Sequence, residues 1–204
     1  MTKIKNFRIS LRSREIARLL KNREGIPTTP DLEASIEQAI KESKRFLETA
    51  ALFTTLSKAT AQKTTPLLLT GPATAVSLIA VTVGPKLEEE RAAALAANES
   101  LRASLLAALQ EEALHQSIQF AVKLISEQAK EEECDLSALS RAEDVSLLPP
   151  LAALLGIQRI GLPFDGNAPC LPPYARLIWT LWTPASKSSS RHSDASARQA
   201  VVTA

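Results

Sequence analysis

Apolar residues recur along this chain with two periods, and each change of period marks a change of element. Leu11, Ile16, Leu19 and Leu20 form one face of a helix over about 11–20, with Ser10 before it and Gly25 and Pro27 ending it. A second helix opens at Thr28 or Thr29 as cap. Pro30 sits in its first turn, and Asp31 and Glu33 lie at the positive end of its dipole. Its stripe of Leu32, Ile36, Ile40 and Leu47 carries it to about Glu48. Residues 50–56 and 67–70 are short β-prone runs. Ser77-Leu-Ile-Ala-Val-Thr-Val83 is apolar on both faces and rich in β-branched residues, so it reads as a strand covered on both sides.

Beyond that strand the period returns to helical. Residues 87–97 begin with Glu88, Glu89 and Glu90, and Asn98 breaks the helix. Ser100 can cap the next one, which runs from Leu101 to about Lys130 on a stripe through Leu105, Leu109, Leu114, Ile118, Val122 and Ile125. Glu131, Glu132 and Glu133 would oppose its dipole, so it stops before them. A short apolar helix, 151–155, follows Pro149 and Pro150. After a proline-rich loop, Arg176-Leu-Ile-Trp-Thr-Leu-Trp182 is the last strand. This order predicts an α+β fold: a twisted, mostly antiparallel sheet flanked by helices, with 77–83 central and 101–130 packed across one face.

Length and composition fit one domain over residues 1–184 followed by a Ser/Ala-rich tail, 185–204, expected to be disordered. Net charge is 24 − 22 = +2, and there are eight aromatic residues, too little of either for nucleic acid as the main partner. Charge is uneven, however: residues 1–25 hold eight Lys and Arg against two Glu, read as a solvated basic helix face. Thr64 to Pro85 holds no charge, but Pro66, Gly71 and Pro72 break it, which argues against a membrane span. Cys134, Cys170, His115 and His192 show no zinc spacing. The N-terminus has no apolar signal core, so reduced thiols and a cytoplasmic location are expected.

Phosphate-loop, dinucleotide and nucleophile-elbow motifs are missing. Glu111 and Glu112 beside His115 read as a surface charge cluster. Thr82-Val-Gly-Pro-Lys-Leu-Glu88 reads as a strand–turn–helix junction in which Gly84 supplies positive φ or close approach.

That junction resembles the T-x-G-x-x-x-E signature of the activation domain, which binds S-adenosylmethionine, of cobalamin-dependent methionine synthase. Glu15-Ile-Ala-Arg18 with the helix from Asp31 is similar to the family's opening helix pair. Leu69-Thr-Gly71 resembles its glycine turn, 101–130 its long helix, and Ile160-Gly161 with Pro172 and strand 176–182 its closing pattern. The resemblance covers residues 8–184. It implies reductive methylation of a partner protein's cobalamin, with S-adenosylmethionine as methyl donor and cobalamin entering only through the partner. In that scheme the cofactors carry the chemistry and no side chain need be catalytic.

Departures fall where the ligand would sit. The family's R-x-S-P-G-Y-x-D stretch is replaced by Asp135-Leu-Ser-Ala-Leu-Ser-Arg-Ala142, in which only Ser137 matches; Leu139 and Ser140 stand for the glycine and tyrosine. The family's helix carboxylate falls near Glu112, Leu114 or His115, and Ala175 replaces the closing serine. The resemblance thus leaves Glu112, Ser137, Arg141 and Tyr174 as candidate ligand-binding residues. The losses predict weak or absent binding, with Kd above about 1 mM. They also open a second reading, a docking protein of the same fold that no longer binds the methyl donor.

Overall fold

The computed structural model describes residues 1–65, 68–69, 71–141, 147–164 and 171–185. Most of the expected tail, residues 186–204, and the ends of the 67–70 run lie outside the described residues. Along the chain come β1 (Thr2–Lys5), α1 (Ser13–Glu24), α2 (Pro30–Ser43), β2 (Ala50–Ser57), α3 (Lys58–Thr64) and β3 (Ala75–Thr82). Then follow α4 (Lys86–Ala96), α5 (Ser100–Glu131), β4 (Cys134–Leu136), β5 (Ser140–Arg141), α6 (Leu148–Leu155), a 3-10 turn (Ile157–Ile160) and β6 (Ala175–Pro184).

The strands make one six-stranded sheet in the order β1-β2-β3-β6-β4, with β5 also paired to β6, and every pairing is antiparallel. All eight residues of β3 are buried, as expected for a strand with both neighbours and both faces covered. Its odd-numbered residues Ile79 and Val81 meet Ala113, Ile118, Ala121 and Ile125 of α5. Its even-numbered Val76, Leu78 and Ala80 meet Leu151 and Leu155 of α6 and Ile157 and Ile160 of the turn. The fold is therefore α+β, a sheet between helical layers.

α5 is long enough to serve two cores. Its C-terminal half lies on the sheet, while Leu105, Leu106 and Leu109 pack with Ile16 and Leu20 of α1, Ile36 of α2 and Leu87 of α4. A polar cluster is buried under the sheet face: Trp182 Nε1 donates to Ser77 Oγ at 2.8 Å, and Ser77 Oγ is 2.7 Å from Thr55 Oγ1. Register places all three on the α5 side, so the indole N–H is satisfied without water.

Several boundaries differ from the sequence expectation, each for a tertiary reason. α1 starts at Ser13, because Arg12 is extended (φ −101°, ψ 112°) and reaches away to α5. α2 is capped by Thr29, whose Oγ1 accepts from the Leu32 N–H at 3.3 Å. It ends at Ser43 rather than Glu48, whose N–H is drawn to the carbonyl of Val83 at the sheet end (2.9 Å). Ser100 is the first residue of α5, and Glu99 holds the cap position. α6 begins at Leu148 and takes both prolines into its first turn, where their missing N–H groups cost no hydrogen bond.

Candidate functional site

The β3–α4 junction is built by backbone proximity. Thr82 Oγ1 donates to the carbonyl of Tyr174 (3.1 Å) and accepts from the Gly84 N–H (3.1 Å), and the Val83 N–H donates to the same Tyr174 carbonyl (3.1 Å). Gly84 has φ +81°, and a Cβ there would lie 2.8 Å from Glu48 Cβ. Glu88, at the end of the signature, receives Arg91 at 2.6 and 3.1 Å and Gln110 Nε2 from α5 at 3.3 Å. Thr82 and Glu88, the two signature residues that carry side chains, are thus engaged within the protein: Thr82 ties the end of β3 to the residue before β6 and Glu88 ties α4 to α5, while the Glu48 N–H on the Val83 carbonyl holds the 44–49 loop to the same end. A cleft of about 400 Å³ opens at this junction, lined by Lys5, Asn6, Thr82, Pro85, Gly161 and Tyr174 among others. Lys86 at its side is paired to Glu48, and that bond raises its ammonium pKa above the ordinary value.

Glu112 lies on α5 next to Ala113 of the sheet-face core and is 2% exposed, so the reading of a surface cluster fails for it. Its carboxylate takes Arg12 Nε at 2.8 Å and Nη2 at 3.3 Å, a two-pronged pair, and Gln116 Nε2 at 2.8 Å. The same bonds raise the guanidinium's already high pKa. Neighbouring Glu111 receives Arg176 Nη2 from β6 at 2.8 Å, with Arg23 at 3.8 Å. His115 is exposed on the next turn, and a crevice of about 120 Å³ separates it from Arg12, Glu15 and Arg18. Such charge-assisted bonds align α1 and the segment before it on α5. Arg12 and Arg176 were invisible to local sequence reasoning, because they stand 100 and 65 residues from their partners.

Ser137 is committed to the sheet edge. Its N–H donates to the Leu181 carbonyl (2.9 Å), its Oγ accepts from the Leu181 N–H (2.9 Å), and its carbonyl accepts from Thr180 Oγ1 (2.9 Å). Arg141 sits on the same edge of β6, opposite Ile178 and exposed. Directly opposed residues of an antiparallel pair share a face, so Arg141 lies on the α5 side with Ile178. Tyr174 is half-buried at the mouth of the 400 Å³ cleft and packs against the cores on both sheet faces. The structure therefore places Glu112 and Tyr174 at the end of the sheet where β6 begins, Arg141 along the β6 edge, and Ser137 further along that edge.

Among the described residues, no three His, Cys, Asp or Glu side chains converge as a metal cluster, and no helix is long and apolar enough to cross a membrane. Neither a protein-family model nor a curated protein sequence matches the chain. Among solved structures, the crystal structure of the MetH reactivation domain bound to AdoHcy is similar, with a TM-score of 0.59 over 91% of this chain and 79% of that one. Identity is 11%, so the likeness is one of fold.

Proposed function

We propose that this chain is a divergent relative of the methionine synthase reactivation domain, acting in the cytoplasm to support reductive methylation of a cobalamin protein with S-adenosylmethionine. The observation that carries this reading is the likeness, across 91% of the chain, to a reactivation domain solved with AdoHcy. When bound, S-adenosylmethionine supplies the transferable methyl group and the partner's cobalamin accepts it. The work left to this chain is to bind, orient and exclude water.

The residues fit that ligand in part. Glu112 has both carboxylate oxygens taken by Arg12 and Gln116, and Ser137 closes the β4–β6 edge. Arg141 and Tyr174 remain to meet it: the guanidinium suits the ligand's carboxylate, and the ring offers a packing face. With two of four candidates engaged elsewhere, weak affinity follows. Calorimetric titration with AdoHcy should give saturable heat with Kd of about 1 mM or weaker. Arg141→Ala should abolish it, and Leu139→Gly with Ser140→Tyr should tighten it. If no saturation appears by about 10 mM in either protein, the methyl-donor role falls and a docking role on the same fold replaces it.

A further inference from the structure

A second cleft, of about 640 Å³, opens where the irregular segment 6–10 passes the C-terminal end of α2, a size typical of small-molecule sites. The half-buried Phe7, Ile9 and Leu47 supply its apolar lining, and the exposed Asn6, Arg8, Ser10 and Lys44 its polar one. No carboxylate lines it, and neither Arg8 nor Lys44 is in a salt bridge among the described residues.

The strap that carries Arg8 is fixed in place. The Asn6 N–H donates to the Thr49 carbonyl at 2.7 Å, and Thr49 Oγ1 donates to the Phe7 carbonyl at 2.6 Å. The Phe7 ring stacks on Phe120 of α5, with centroids 4.2 Å apart and planes 8° from parallel. Two cations on different elements thus line one cleft of mixed polarity beside a held backbone, and the Asn6 amide and the Ser10 hydroxyl lie in the same lining. A larger cleft between α1 and α2, about 750 Å³, lacks this bias: Arg14, Arg18 and Lys21 are balanced there by Glu15, Glu33 and Glu37.

We propose that the strap cleft binds a small polyanion, with Arg8 and Lys44 dividing its anionic oxygens between them. Phosphate esters and polycarboxylates share this chemistry, and both are matched by a guanidinium fork and an ammonium in one cleft. The site uses none of Glu112, Ser137, Arg141 or Tyr174, so it stands whether or not the methyl donor binds.

The test is calorimetric titration of the full chain with pyrophosphate and, separately, citrate, at about 0.15 M ionic strength so that diffuse surface attraction is screened. We expect saturable one-to-one binding of at least one probe, and the preferred probe names the ligand class. Arg8→Glu with Lys44→Glu should weaken it about tenfold or more, while the charge-matched Arg14→Glu with Lys21→Glu should change it less than about twofold. If circular dichroism shows the first variant unfolded, Arg8→Gln with Lys44→Gln replaces it, with an expected loss of about fivefold. The proposal is overturned if neither probe saturates by about 10 mM, or if the α1 control loses as much as the cleft variant.

Discussion

Gly84 concentrates three demands at one residue: a left-handed φ of +81°, an N–H that must reach Thr82 Oγ1, and a Cβ position 2.8 Å from Glu48 Cβ. Alanine there would meet both backbone strain and a clash that only a shift of the 44–49 loop relieves. Gly84→Ala should therefore cost about 1–3 kcal/mol, read as a lower denaturant midpoint at unchanged slope. This requirement was legible in the sequence, since a buried strand ending in Val-Gly-Pro before an acidic helix start signals a turn of this kind. What holds Glu112 was not. A Glu-Glu-x-x-His run on a helix looks solvated until Arg12, a hundred residues earlier in the chain, is folded onto it. Ser137 shows the same limit from the other side: it matched a ligand motif by position, while its hydrogen bonds serve the sheet edge.

Elements were legible in proportion to the apolar area they carry. β3, α4, α5 and β6 appear within a few residues of their expected bounds, because their stripes or two-sided apolar runs fix their burial. β1, α3, β4 and β5 went unseen. β1 has Ile4 as its one half-buried residue and is ordered by pairing with β2, α3 buries Ala61 alone, and β4 and β5 are short pieces that exist because β6 offers an edge. The two-sided burial of β3 makes a sharp expectation. Leu78 and Ile79 point to opposite faces, and both are 0% exposed. Leu78→Ala and Ile79→Ala should each cost about 2–5 kcal/mol in equilibrium unfolding. A strand wet on one face would lose that much at one position only.

At the scale of the molecule, stability should depend on acid through the carboxylates that join helices. Glu88 links α4 to α5, and the Arg91 hydrogen bonds hold its carboxyl below the ordinary value of 4.5; burial pushes the other way and loses, and Gln110 adds a further lowering bond. A carboxyl with a lowered folded-state value stabilises the protein above its unfolded value. That contribution is lost as pH falls through the folded one. Thermal denaturation followed from pH 7 to about pH 3 should show the midpoint falling below about 4.5, and Glu88→Gln should flatten that part of the curve. The strap of residues 6–12 has its own consequence at this scale, one of timing. It leaves the ribosome before Phe120 and Glu112, which it must meet and which follow about a hundred residues later. At about 5–20 residues per second of synthesis, Phe7, Ile9 and Leu11 wait roughly 5–20 s for the helix that covers them. For that interval the nascent chain carries an uncovered apolar stretch flanked by arginines and lysines, a segment suited to holding by a chaperone until α5 emerges.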